Sequence, residues 1–287
     1  MRVLVTGGGG ILGTALARTR PPQAELAALR RAELDVTERV RTIDAIVRLR
    51  PDWVVHAAAM TDVDGCEREP ERAFRVNWLG TANVVDAAVR AGAAAIVLSS
   101  DYVFDGTKGE PYVEHDAQNP LSVYGRSKLF AEREALARAG RVHVVRAQWV
   151  FGAGGRNFVD TILAAARAKP RLKVVDDQRG CPTWSDHLAQ GIWRLIAADP
   201  GGGIWHLAAR GAVTWHAFAR AIVREAGVAA EVEPCTTADF PRPARRPANG
   251  VLRNFRLELS IGDFMPTWEE GLRGYLSQLS ERARSGA

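Results

Sequence analysis

Arg2-Val3-Leu4-Val5-Thr6-Gly7-Gly8-Gly9-Gly10-Ile11-Leu12-Gly13 opens the chain, and its reading decides the fold. Arg2–Thr6 is a short, Val- and Leu-rich run that reads as a buried strand, and Ile11–Arg20 carries apolar residues at helical spacing. A strand passing through glycines directly into a helix begins a βαβ unit. The bare turn lets a pyrophosphate approach the backbone at the positive end of the helix. Two registers fit, Gly7-x-x-Gly10-x-x-Gly13 and Gly8-x-Gly10-x-x-Gly13. Four glycines alone also make a merely flexible turn, but their place between the first strand and first helix points to a dinucleotide site. Gly7, Gly10, Ile11, Leu12 and Gly13 are its expected contacts.

The same alternation continues. Leu26–Leu29, Trp53–Ala57, Ala95–Ser99 and Val142–Val145 read as buried strands; Val40–Leu49, Glu71–Ala91 and Val123–Ala139 read as helices. The expected class is α/β, a Rossmann-type doubly wound parallel sheet. Residues 1–150 form its dinucleotide-binding domain. Residues 151–287 read as a smaller, partly discontinuous substrate domain with some segments returning to the main sheet. There, Asn157–Ala168, Asp186–Ala198, Trp215–Ala226 and Trp268–Leu279 read as helices, Leu172–Val175 and Gly203–Leu207 as strands, and Pro234–Pro247 as an irregular surface segment.

Composition narrows the class of function. The 287 residues are 47% hydrophobic and 25% charged, ordinary globular values that exclude a disordered or fibrous chain. The net charge of +5 is spread along the chain, which reads as a solvated surface and not a nucleic-acid footprint. Cys66, Cys181 and Cys235 are odd in number and widely spaced, which argues against a disulfide framework and a zinc site; no metal is expected. No apolar run approaches the about 18 residues of a membrane helix, and no signal segment leads the chain. A soluble cytoplasmic protein, monomer or homodimer, is expected.

Where a ribose-binding acid would close the second strand, the chain has Arg30-Arg31. An Arg pairs bidentately with phosphate, so Arg30 points to NADPH over NADH, with NADH still possible. Asp35, before Val36, either caps the following helix in competition with Thr37 or reaches the adenine. Ala57-Ala58-Ala59 after the third strand suits either close approach of the cofactor or plain helix–sheet packing.

Tyr124-Gly125-Arg126-Ser127-Lys128 places a phenol and an ammonium on one helix face. With four Tyr and four Lys in the chain, chance gives only about 0.06 such pairs. A ketone reduced by hydride needs a proton on its oxygen, and a nearby Lys⁺ lowers the phenol pKa toward the working range. Ser100 ends the fourth strand at the same sheet edge. Its hydroxyl either polarises the substrate carbonyl or caps a turn; beside Tyr124 and Lys128 the first reading is preferred.

The glycine loop, Asn77 in Val76-Asn77-Trp78-Leu79-Gly80-Thr81, Ser100 and Tyr124-x-x-x-Lys128 together resemble the extended short-chain dehydrogenase/reductase family. Ser100-Asp101-Tyr102-Val103-Phe104-Asp105-Gly106 is similar to the S-T-D-Y-V-F-D-G segment of its dTDP-4-dehydrorhamnose reductases. The likeness continues through Arg146–Phe151, Asp177–Thr183 and Arg245-Arg246-Pro247. The resemblance implies an NAD(P)-dependent oxidoreductase that reduces the 4-keto group of a dTDP-linked deoxysugar, giving dTDP-L-rhamnose or a related sugar. It implies Ser100 at the carbonyl, Tyr124 as proton donor, and Lys128 at the nicotinamide ribose. Asp101, Tyr102 and Trp149 would line the substrate pocket, and Arg245 or Arg246 would meet the diphosphate.

The chain departs from that pattern at Met60 for a common Tyr, Gly250 for the Ser of R-P-x-x-S, and Arg253 for a usual Asp. Ala15 replaces a Glu that links some relatives into dimers through a metal. An epimerase or a dehydratase on the same fold is an alternative, but the dehydratase pattern has Glu where Tyr102 follows Asp101. A second alternative is a non-catalytic binding protein like the regulatory subunit of methionine adenosyltransferase, since a scaffold can retain an old active site.

Overall fold

The computed structural model describes residues 1–138 and 140–285. Strand β1 (Arg2–Thr6) is apolar on both sides: Val3 and Val5 point to one face of the sheet and Leu4 to the other, all buried. A strand so patterned belongs inside a sheet covered on both faces. Next come α1 (Ile11–Arg18), β2 (Glu25–Leu29), α2 (Arg39–Leu49), β3 (Trp53–His56), α3 (Val63–Arg68), α4 (Pro70–Phe74), α5 (Gly80–Arg90), β4 (Ala94–Ser100), α6 (Val123–Leu136) and β5 (Val142–Ala147). The remainder contains β6 (Val150–Phe151), α7 (Phe158–Ala168), β7 (Arg171–Val175), β8 (Arg179–Gly180), β9 (Thr183–Trp184), α8 (Ser185–Ala198), β10 (Gly203–His206), β11 (Val213–Thr214), α9 (Trp215–Glu225), β12 (Glu231–Cys235), α10 (Phe255–Ser260) and α11 (Trp268–Ser285).

The six-stranded sheet is parallel throughout, in the order β10-β5-β4-β3-β1-β2. The expected doubly wound α/β class is what forms. Leu16 of α1 and Leu188, Ile192 and Ile196 of α8 cover the face carrying Val3, Val5, Val55 and Ile96. Ile46, Val84, Val85 and Ala135 from α2, α5 and α6 cover the face of Leu4, Val54, Val97 and Val144. The winding reverses between β1 and β3, which opens a crevice beyond their carboxyl ends, at Gly7 and Ala57. A second core gathers Val159, Ile162, Phe218, Ile222, Leu272 and Tyr275 from α7, α9 and α11.

Several elements differ from the sequence reading. The single helix expected over Glu71–Ala91 is α4, a π-helical turn at Arg75–Leu79, and α5. A widened turn is built from the same residue types as an α-helical one, so composition and spacing do not single it out. Segment 234–247 is not wholly an irregular surface: Pro234 and Cys235 pair with β7, and Ala244 and Pro247 are buried. α1 stops at Arg18, with Thr19 closing its last turn. The expected end of α6 at Ala139 lies outside the described residues. Among the described residues no helix is long and apolar enough to cross a membrane. Nor does any group of three or more His, Cys, Asp or Glu there fit a metal ion.

Candidate active site

Three glycines of the first turn are bare for steric reasons. Gly7 has φ +74°, where L side chains are strained, and a Cβ on it would lie 2.7 Å from the Ala58 nitrogen. One on Gly8 would lie 2.6 Å from the Ala28 carbonyl carbon, and one on Gly13 2.6 Å from the Gly7 oxygen. Gly10 is different: a Cβ there would meet only the Gly7 oxygen, at 3.4 Å. Gly10 caps α1 without a side-chain hydrogen bond, so no side chain covers the amides of Ile11, Leu12 and Gly13. This cradle fits a dinucleotide pyrophosphate. Ala57-Ala58-Ala59 stands against it, with Ala57 N–H donating to the Thr6 carbonyl at 3.2 Å.

Gly154 belongs to the same surroundings although the sequence reading missed it. Its φ is +102°, and a Cβ would lie 2.5 Å from Thr14 Oγ1 and 3.0 Å from the Gly10 oxygen. The signal was a second glycine cluster, Gly152-Ala153-Gly154-Gly155, just after β6.

At the end of β2, the aliphatic part of Arg30 lies beside Gly9, where a Cβ would be 3.4 Å from Arg30 Cγ. Arg31 instead pairs with Asp35, Nε to Oδ2 at 3.1 Å. Asp35 Oδ1 also accepts from Thr37 N–H at 3.0 Å and from its hydroxyl at 2.7 Å. Burial works to raise the Asp35 pKa, but the Thr37 bonds and Arg31 outweigh it and hold the carboxyl below its ordinary value. Neither Asp35 nor Thr37 caps α2. The capping position is Glu38, because the Asp35–Thr37 turn closes before the helix begins. Val36 is a packing residue, buried against Gly80 with its carbonyl accepting from Asn83 Nδ2.

Ser100, Tyr124 and Lys128 come together at the carboxyl edge of β4. Ser122 caps α6 by accepting from Gly125 N–H at 3.1 Å, which sets the start of the helix one residue before Tyr124. A side chain on Gly125 would collide with the Tyr102 carbonyl, so α6 lies directly on the turn after Ser100. Ser100 does cap this short 3₁₀ turn, accepting from Tyr102 N–H at 3.3 Å, while its hydroxyl donates to Asp101 Oδ1 at 2.8 Å.

The expected lowering of the Tyr124 pKa is not what the structure gives. Burial first, then the Asp101 charge, push the phenol above its ordinary value, and a Ser100 hydrogen bond opposes them. A neutral phenol is the form that gives up a proton. Burial brings Lys128 down to about 8, opposed by the Glu132 charge one turn on. Lys128 forms no hydrogen bond to another described residue, leaving its ammonium available to a ligand.

Asp101 is buried, accepts from Gln148 Nε2 at 3.0 Å, and is raised to about 6 by burial. Tyr102 packs edge-on to Tyr124 with centroids 5.4 Å apart. Arg246 holds Asp64 with two nitrogens, at 3.2 and 3.0 Å, and lies beside Tyr102. Arg245 is exposed. Trp149 has φ +45°, uncommon for a bulky residue, and is stacked on Trp215 with centroids 3.5 Å apart. A Cβ on Gly180 would lie 2.5 Å from the Trp149 ring, so that glycine is the other side of a slot for the indole.

Buried polar links hold these parts in register. Asn77 accepts from Met60 N–H at 2.7 Å and donates to its carbonyl at 3.1 Å. His56 spans Thr6 and Thr81; burial lowers it to about 3, so it is neutral. Thr81 spends its proton on the Asn77 carbonyl, which leaves His56 Nε2 as the donor to Thr81 and Nδ1 as the acceptor from Thr6. Behind Lys128, Arg146 and Glu132 form a buried bidentate pair at 2.9 and 2.7 Å.

A parallel sheet with a dinucleotide cradle at its switch point, and a Ser-Tyr-Lys set one unit away, defines a short-chain dehydrogenase/reductase of the extended type. The chain belongs to the family described as RmlD substrate binding domain, whose model matches residues 1–281, and it is an oxidoreductase by class. It is 39% identical over 284 residues to dTDP-4-dehydrorhamnose reductase of Sinorhizobium fredii, covering 95% of this chain and 96% of the relative. A dTDP-4-dehydrorhamnose reductase structure from Clostridium acetobutylicum superposes with a TM-score of 0.95 at 37% identity, covering 98% of this chain and all of the other. One from Bacillus anthracis, in complex with NADP, gives 0.94 at 32% identity, covering 96% and 99%.

Proposed function

We propose that this enzyme reduces the 4-keto group of a dTDP-4-dehydro-6-deoxyhexose with NADPH in the cytoplasm, giving dTDP-L-rhamnose or a related deoxysugar. The convergence of Ser100, Tyr124 and Lys128 at one sheet edge carries the reading, and the likeness to named reductases supports it. Residues 1–150 are read as the cofactor-binding part, and 151–287 as mainly the substrate-covering part.

NADPH, when bound, supplies the hydride. Gly7, Gly10 and Gly13 would hold its pyrophosphate, Arg30 its 2′-phosphate, and Ala57–Ala59 would flank it. Ser100 turns its one proton from Asp101 to the ketone oxygen, and Tyr124 delivers the proton that makes that oxygen a hydroxyl. Lys128 stays charged beside the cofactor ribose and stabilises the phenolate left on Tyr124. Trp149, Tyr102 and Asp101 bound the sugar side; of the two arginines, exposed Arg245 is the freer to meet the diphosphate, since Arg246 is engaged by Asp64.

The test is NADPH absorbance against a panel of dTDP- and UDP-linked 4-keto sugars. Consumption with a dTDP-4-keto-6-deoxy sugar is the expected result. No consumption with any of them overturns the reading.

A further inference from the structure

Gln148, at the end of β5, is fully buried and ties the two halves of the site together. Its Nε2 donates to Asp101 Oδ2 at 3.0 Å, and its Oε1 accepts from Cys181 N–H at 2.7 Å. Asp101, through its other oxygen, accepts the Ser100 hydroxyl at 2.8 Å. Ser100 has a single proton to give, and it is the one the ketone would need. The direction of that O–H is therefore set by the seating of the Asp101 carboxylate, and Gln148 is what seats its far oxygen.

The room for Gln148 comes from a third segment. A Cβ on Gly250 would lie 2.5 Å from Asp101 Oδ2 and closer still to Gln148 Nε2. Gly250 does not sit in the left-handed region, so its backbone does not call for glycine. The segment is fixed, because Gly250 N–H donates to the Arg179 carbonyl at 2.9 Å and Arg179 N–H to the Ala248 carbonyl at 2.8 Å. This glycine is one of the positions where the chain departs from the family pattern, which has Ser.

We propose that Gln148 and the bare Gly250 are a matched pair. Gln148 is the positioning residue that orients Asp101 and, through it, the Ser100 hydroxyl, and it fills the space a side chain at position 250 would take. The inference rests on the reductase reading, because the proton Asp101 holds in the free enzyme is the one Ser100 turns to the ketone.

Wild type, Gln148→Ala, Gly250→Ser and the double variant are compared for Tm without ligand, for NADPH affinity by fluorescence, and for kcat. Gln148→Met, close in size but without the amide, guards against a simple folding failure. Each single change lowers kcat about tenfold or more, while NADPH affinity stays within about twofold. Gly250→Ser lowers Tm when Gln148 is present. In the Gln148→Ala background it raises both Tm and kcat, since its hydroxyl then reaches Asp101 in the vacated space. The same effect of Gly250→Ser in both backgrounds, or a wild-type kcat for Gln148→Met, overturns the proposal. Absence of NADPH consumption in the wild type itself would instead sink the reductase reading, and the Tm cycle would still decide the match.

Discussion

Asn77 donates from Nδ2 to Ser127 Oγ at 2.9 Å, and Ser127 passes its own proton to the Tyr124 carbonyl at 2.7 Å. The π-helical turn is thereby tied to the helix that carries the phenol and the ammonium, and on its other side to Met60 beyond β3.

Replacing Asn77 with Ala strands the half-buried Met60 N–H and leaves the Met60 carbonyl only the weak Cys66 thiol donor, at 3.6 Å. A stability loss of about 1–3 kcal/mol is expected, from one orphaned backbone N–H. Urea unfolding measures it, and kcat should fall because α6 loses its anchor. A stability within about 0.5 kcal/mol of wild type would show that the link is unimportant.

In the proposed mechanism Tyr124→Phe removes only the proton donor. Turnover should drop by about 10²-fold or more, with NADPH affinity changed little. Lys128→Met should weaken both, because it also takes the cation from the ribose side. Steady-state kinetics and NADPH fluorescence titration separate the two; equal kcat for wild type and Tyr124→Phe rules the assignment out.

Lys128 has a folded pKa of about 8 against an ordinary 10.5, through burial. As pH falls through 10.5 the unfolded chain takes up the proton first. Lys128 thus costs stability below about 8, and the cost is relieved as pH rises toward 10.5. Activity should run the opposite way, since the proposed mechanism uses the charged ammonium. The kcat/KM for NADPH, which reports the free enzyme, should fall as pH rises through about 8. Lys128→Arg, charged at every accessible pH, should lack this limb; a limb at the same pH in that variant would assign it to another group.

Arg30 and Arg31 should differ in their influence on cofactor choice. Arg30 lies beside Gly9, whereas Arg31 is engaged by Asp35. Arg30→Ala should reduce the NADPH over NADH ratio of kcat/KM about five- to tenfold at low salt, and Arg31→Ala distinctly less. Identical ratios for wild type and Arg30→Ala would remove Arg30 from the 2′-phosphate.

Much of the architecture was legible because buried parallel strands leave a plain mark: Val3, Leu4 and Val5 are apolar toward both faces, and Ala95–Val97 likewise. Tyr124 and Lys128 could be paired from spacing alone, because a helix puts residues four apart on one face. What stayed hidden depends on neighbours far along the chain. Gln148 looks like any strand-end amide until Asp101, Cys181 and Gly250 meet around it. The raised Tyr124 phenol was unreadable for the same reason, because burial and Asp101 act across space. The Asp35–Thr37 turn was local, but two caps competed for one helix, and the chain used neither.

Strand β10 pairs with β5 only after an excursion of more than fifty residues, and α8 just before it lies against α1. During synthesis, then, the first 150 residues leave the ribosome with an open strand edge at β5 and an uncovered Leu16 face. Both wait for residues up to His206 before they are closed. A chain cut at residue 150 would carry Gly7–Gly13 and the Ser-Tyr-Lys set but lack Gly154 and its own wall, and such exposed edges pair with one another. Its fate is aggregation, not a free-standing module: the sheet that begins the chain is finished only by residues made well after its first 150.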